Sequence, residues 1–185
     1  MKTHPLAGKI RALCLLTAFG ATLPGSALAL GPALNSPPAQ ARAAKPVENQ
    51  IRQLIQDFYF ASTHGDAAFM DKIFSNDPEV LLIGTDPSEV VVGHEAINAF
   101  WTGLFDALAS IGYPNNGGLA IVSSGDTIQV DHKGPVAWAS DFPTFALQNG
   151  DVPFRLSFVF VLEEGRYKIS QIHFSIGSPN ADLPA

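Results

Sequence analysis

Between Phe154 and Ile176 apolar and polar positions alternate with a period of two, interrupted once by a short polar turn. Phe154, Leu156, Phe158, Phe160 and Leu162 alternate with Arg155, Ser157, Val159 and Val161, an aromatic and β-branched pattern that predicts a strand. Glu163-Glu164-Gly165-Arg166 carries the glycine that a tight hairpin turn needs. Tyr167 to Ile176 alternates again and predicts the return strand. Strict alternation puts Lys168, Ser170, Ile172, Phe174 and Ile176 on one face, and Tyr167, Ile169, Gln171, His173 and Ser175 on the other.

Upstream the period changes. Ile51, Leu54, Ile55, Phe58, Tyr59 and Ser62 follow the spacing of one helical face, and His64-Gly65 ends that helix. Asp66 can cap a second helix with Phe69, Ile73 and Phe74 as its apolar stripe, and Asn76-Asp77-Pro78 stops it. Glu79–Gly84 and Glu89–Val92 predict two short paired strands around the turn Thr85-Asp86-Pro87-Ser88. A third helix is predicted over His94–Ala109, with Ile97, Phe100, Trp101, Leu104, Phe105 and Leu108 on a broad apolar face. A strand follows over Leu119–Val130, weakened at Ser123-Ser124-Gly125, where a bend or bulge is expected. The next strand is Val136–Phe142, with Pro143 at its end because proline cannot donate to a ladder; Thr144–Leu147 continues it. Helices gathered ahead of a run of strands define an α+β domain. Strands apolar on both faces need both faces covered; helices cover one, and a second protomer is expected on the other, as a homodimer.

Composition changes the picture at the N-terminus. Lys2, Lys9 and Arg11 precede the apolar run Ala12–Leu23, and Ala27-Leu28-Ala29 follows, the layout of a secretory signal peptide cut after Ala29. The run is short for a membrane anchor, so none is expected. The domain plan is a signal peptide over 1–29, a flexible lead-in over 30–46, the folded domain over 47–179 and a tail over 180–185, in a periplasmic or secreted protein. Cleavage removes the single cysteine, Cys14, and with it any disulfide or thiolate nucleophile. It also removes three of eleven basic residues and none of the seventeen acidic ones, leaving eight against seventeen, a net −9 with His neutral. That balance argues against nucleic-acid binding.

Several segments resemble the SnoaL-like group of the NTF2-like cone fold. They are Ile83-Gly84-Thr85-Asp86-Pro87-Ser88-Glu89 with Gly93-His94-Glu95-Ala96-Ile97, then Val136-Ala137-Trp138, then Gly165-Arg166-Tyr167-Lys168-Ile169 with His173-Phe174-Ser175. In the last, Trp more often stands where this chain has Tyr167. The resemblance spans about Asn49 to Gly177. It implies three N-terminal helices packed on a curved, mostly antiparallel sheet around a blind pocket. Proteins of that fold include isomerases, dehydratases, cyclases and epoxide hydrolases, and many non-enzymatic binders, so the scaffold leaves the chemistry open.

His173, in a polar row with Gln171 and Ser175, is a general base or orienting donor if that row faces the cavity, and otherwise a strand-end histidine with a local partner. Asp141, beside the small Ala137 and Ala139, is a second base candidate, or a solvated strand-end acid. Arg155 pairs with Asp141 or grips an anionic ligand. Tyr59, on the buried helix face, is an oxyanion donor or a core aromatic. Phe58, Trp101 and Phe105 line the pocket or fill the core, and Trp138, on the face opposite Asp141, meets a partner protomer. Asp86, Glu89 and His94 cluster without the spacing of any metal motif, so no metal is expected. No G-x-S-x-G, Walker or dinucleotide fingerprint is present, so no cofactor is expected. The function expected is binding of a small apolar molecule in a cone-shaped pocket, with cofactor-free isomerisation, dehydration or cyclisation if His173 and Asp141 form a proton-handling pair. The alternative is a non-catalytic ligand-binding or dimerisation module. A polar pair inside a cavity favours the enzyme; an interior filled by Phe and Trp favours the module.

Overall fold

Residues 40–147 and 150–177 are described by the computed structural model. The predicted signal peptide, residues 30–39 of the lead-in and the tail lie outside them. Helix α1 spans Gln40–His64, so residues 40–46 are helical rather than lead-in. The Ala-rich run Ala41 to Lys45 favours helix by propensity without any apolar period to reveal it. The stripe Ile51, Leu54, Ile55, Phe58, Tyr59 and Ser62 is buried as its spacing predicts. Gly65, at φ +61°, ends α1; a Cβ there would sit 2.5 Å from the Asn116 carbonyl oxygen, so both conformation and space demand glycine. The Asp66 carboxylate then accepts from the Phe69 N–H at 2.9 Å and caps α2, Ala67–Ile73.

Strands β1 (Leu81–Ile83) and β2 (Val90–Val92) pair antiparallel, and α3 follows over His94–Ser110. A fourth helical segment, α4 (Pro114–Gly117), is a single turn with Asn115 and Asn116 in the left-handed region, beyond the three helices predicted. The remaining strands are β3 (Ile121–Val122), β4 (Gln129–Lys133), β5 (Val136–Asp141), β6 (Thr144–Leu147), β7 (Gly150–Pro153), β8 (Arg155–Glu163) and β9 (Arg166–Ser175). Six form one sheet in the order β2-β1-β9-β8-β5-β4, antiparallel except where β1 runs parallel to β9. The other three form a second sheet, β3-β6-β7. β5–β6 and β7–β8 are two halves of one long hairpin broken at Phe142-Pro143, where the Phe154 N–H still reaches the Pro143 carbonyl at 3.0 Å. The partner strand breaks at the same level, between β3 and β4, across the predicted Ser123-Ser124-Gly125 bend.

One irregularity decides which side chains face where. On β8–β9, Val159 lies opposite Gln171 but Phe160 lies opposite Ile169, so Ser170 is an extra residue. This bulge reverses the alternation of β9. Ile169, Ile172 and Phe174 all point to the inner face, and Gln171, His173 and Ser175 to the outer one. The predicted strict alternation of Tyr167–Ile176 is therefore wrong at one position, and every assignment beyond it changes.

The inner face packs on α1, α2 and α3. Phe58 is fully buried at the centre, edge-on to Phe74, Trp101 and Phe158 with ring centroids 5.7–6.5 Å apart. Burying one such ring contributes about 1.5–3 kcal/mol. Among the described residues no helix covers the outer face. Two rows cross it: Val92, Leu81, Gln171, Val159, Trp138 and Asp131, then Val90, Ile83, His173, Ser157, Ser140 and Gln129.

Candidate functional site

Asp141 ends β5 and is fully buried. Its two oxygens accept four hydrogen bonds. The Tyr59 and Ser123 hydroxyls each donate to Oδ2 at 2.7 Å. The Thr127 hydroxyl and the Phe142 N–H donate to Oδ1, the latter at 2.8 Å. Tyr59 comes from α1, Ser123 and Thr127 from the β3–β4 connection, and Phe142 from the break in the long hairpin. One carboxylate thus ties helix α1 to the two places where the strands are interrupted. A carboxylate has about four acceptor positions, and all are occupied.

Tyr59 is buried, and its hydroxyl spends its one proton on Asp141. Burial, and then the neighbouring carboxylate, push its pKa far above the phenol value. It stands as a neutral donor already in use, not as a base.

His173 is half-buried on the outer face, opposite Ser157 on β8 and Ile83 on β1. Asp141 lies opposite Leu156, which lies opposite Phe174, so Asp141 belongs to the inner face. The two candidates stand on opposite sides of the sheet, and the expected proton-handling pair does not form. The Ser170 bulge is the physical reason. Arg155 is exposed on the outer face beside Gly177, so it does not pair with Asp141, and it makes no salt bridge among the described residues. Gln171 and Ser175 are on that outer face too.

Phe58, Trp101 and Phe105 are buried core residues. The space beside Trp101, between α2 and α3, has no room for a water molecule. Phe58, Phe74, Phe158 and Phe174 occupy the interior instead. Trp101 Nε1 is buried without a hydrogen-bond partner among the described residues. Trp138 is exposed on the outer face.

Asp86, Glu89 and His94 separate into local roles. Asp86 accepts from the Ser88 hydroxyl and N–H, which hold its carboxyl below the usual range. Glu89 accepts from the Asp86 N–H at 3.1 Å. His94 bridges the Ser75 carbonyl at 2.8 Å and Asp71 at 2.9 Å, joining α3 to α2. No group of three metal-ligating side chains occurs among the described residues.

Sequence reasoning missed Ser123 and Thr127 as partners of Asp141. The clue was present, since hydroxyls flanking a strand break are placed to bond a neighbouring strand end. It also missed an open groove of about 410 Å³ along the exposed side of α1, bounded by Gln53, Gln56, Asp57, Phe60 and Ile121.

A mixed, bent sheet with helices packed on one face and an aromatic interior is the architecture of the NTF2-like class. The chain belongs to the SnoaL-like domain family, whose model matches residues 51–179. That family is one of ligand-binding and isomerase-type proteins. Solved structures share the fold at low identity. An NTF2-like protein from Pseudomonas putida KT2440 has a TM-score of 0.58 at 15% identity, covering 76% of this chain and 98% of its own. An NTF2-like superfamily protein from Salmonella enterica gives 0.57 at 17%, covering 74% and 95%. A protein with a cystatin-like fold from Caulobacter vibrioides gives 0.56 at 17%, covering 72% and 92%. No characterised protein matches the chain in sequence at a significant level. Among the described residues no helix is long and apolar enough to cross a membrane.

Proposed function

We propose that this protein is an exported, homodimeric and non-catalytic binding module of the SnoaL-like family. One observation supports the non-catalytic reading above the rest: Asp141, the only buried carboxylate among the described residues, is saturated by four donors. A general base needs a free acceptor position within reach of a substrate proton. Asp141 has none, and His173 stands across the sheet from it. Export is supported by the charged start, apolar run and Ala27-Leu28-Ala29. Dimerisation is supported by the uncovered outer face. The test of non-catalysis is proton exchange α to a carbonyl, the first step of many isomerisations and cyclisations. Incubating the protein with cyclic ketones in deuterium oxide should give exchange no faster than buffer. Protein-dependent exchange that disappears in Asp141→Asn would overturn the proposal.

A second function, binding of a small apolar molecule inside the cone, is favoured by the unpartnered N–H of Trp101. Buried donors are normally satisfied, and a ligand acceptor would satisfy this one. Admission would require the space between α2 and α3 to open, since it is closed. A saturable change in indole fluorescence with cyclohexanone, absent in Trp101→Phe, would favour it over an empty interior.

A further inference from the structure

The groove along α1 has a chemistry of its own. Gln53, Gln56, Asp57, Phe60 and His64 recur at i, i+3, i+4, i+7 and i+11, one stripe of the helix. This stripe faces away from the buried one that packs on the sheet, and the groove it borders reaches down to Tyr59, Thr63 and Ile121. A helix holds its side chains at fixed spacing, so the groove is a rigid array. Phe60 is 58% exposed, with one ring face stacked on the His64 imidazole at 4.0 Å and 27°. The His64 Nδ1–H donates to the Phe60 carbonyl at 2.8 Å and fixes the imidazole in that stack. Phe60 therefore offers a braced, flat apolar platform.

The polar groups beside it are planar and of both kinds. Gln53 donates to Asp57 at 2.9 Å, leaving an amide oxygen and a carboxylate oxygen for other partners. Gln56 makes no side-chain hydrogen bond among the described residues and offers both donor and acceptor. Among the described residues no Lys or Arg lines the groove, and Asp57 makes it unfavourable for anions. It is open rather than enclosed, which suits a segment of chain lying along it and not a small apolar molecule seeking burial.

A ligand matching these features presents a flat C–H face to an aromatic ring, and hydroxyls, each both donor and acceptor, to amides and a carboxylate. We infer that the α1 groove binds a neutral saccharide, with Phe60 stacking under one sugar ring and Gln53, Gln56 and Asp57 bonding its hydroxyls. The ring quadrupole attracts the weakly positive C–H groups of a pyranose face, and the amides discriminate by hydroxyl position. This goes beyond the dimer proposal and does not depend on it.

The test is a titration of the full mature chain, labelled with nitrogen-15, with cellobiose to roughly tens of millimolar. Saturable shifts confined to the amides of Gln53–His64 and Ile121 are expected. Phe60→Ala should weaken binding by roughly tenfold or more, since aromatic anchors dominate such contacts. Phe60 is exposed, so that variant retains its fold, and an unchanged spectrum outside α1 checks this. Gln56→Ala should weaken binding less, and glucuronate should bind more weakly than cellobiose because Asp57 repels it. Absence of shifts, shifts that Phe60→Ala leaves unchanged, or an equal response to glycerol, which has hydroxyls but no ring face, would each overturn the inference.

Discussion

At the scale of single residues, Asp141 is the densest polar node described and its value is structural. Charged hydrogen bonds in a dry interior are strong, and each donor removed leaves the others with less compensation. Tyr59→Phe deletes one donor without changing shape, so it should lower unfolding stability by about 1.5–3 kcal/mol in a urea titration. A loss below measurement would mean Asp141 finds another donor. The same bond has a pH signature. The folded protein holds the Tyr59 proton more tightly than the unfolded chain, whose phenol titrates near the ordinary value of 10.0. Above that value the unfolded chain releases a proton that the folded one keeps, so stability is full below it and falls as pH rises. Comparing wild type with Tyr59→Phe across the alkaline limb isolates this contribution; identical slopes would refute it. The sequence offered Tyr59 and Asp141 as candidates because each stood on an otherwise apolar face. It could not show that they meet, since contact between α1 and the end of β5 depends on where the sheet bends.

At the scale of elements, the first three helices and most strands were legible; the single turn α4, strand β7 and the run of β4 past Val130 were not, and neither was the register. α1, α2 and α3 follow from period and capping, and the interruptions at Ser123–Gly125 and Pro143 from backbone chemistry. The Ser170 bulge carried a subtler mark. Ile169 and Ile172 are three residues apart, with Ser170 and Gln171 between them, which no strict alternation can bury on one face. Reading the return strand as regular placed His173 with Ile169, and that single step moved the candidate base to the wrong side of the sheet. A bulge is defined by two strands together, and one strand's pattern reveals it only as a phase slip. Deleting Ser170 should be far more damaging than its half-buried serine suggests. Restoring regular pairing would turn either Ile169 or Ile172 and Phe174 outward. Loss of a cooperative thermal transition by circular dichroism is expected; a near-wild-type transition would mean that β9 re-registers freely.

At the scale of the whole molecule, the outer sheet face sets the last prediction. Its central positions are Val159, Trp138, Leu81 and Ile83, with Gln171, His173 and Ser157 among them. The charged side chains Asp131, Lys133, Lys168 and Arg155 stand towards the edges. Aromatic and aliphatic groups at the centre with charges at the rim is the anatomy of a protein interface. Trp138 is 43% exposed, and a large aromatic left in water on an uncovered sheet is the kind of residue that anchors one. A second copy meeting this face through a two-fold axis would cover both protomers at once, and a stable pair needs about 800 Å² from each. Light scattering on the mature protein at micromolar concentration should therefore give twice the chain mass. Trp138→Arg should shift the protein to monomer, weakening association by about 2 kcal/mol or more, while its partial exposure spares the fold. His173→Ala should weaken the dimer without altering the monomer's stability, because its side chain lies on the same face and outside the core. A wild-type monomer at these concentrations, or a Trp138→Arg protein that still scatters as a dimer, would show that this face is not where two copies meet.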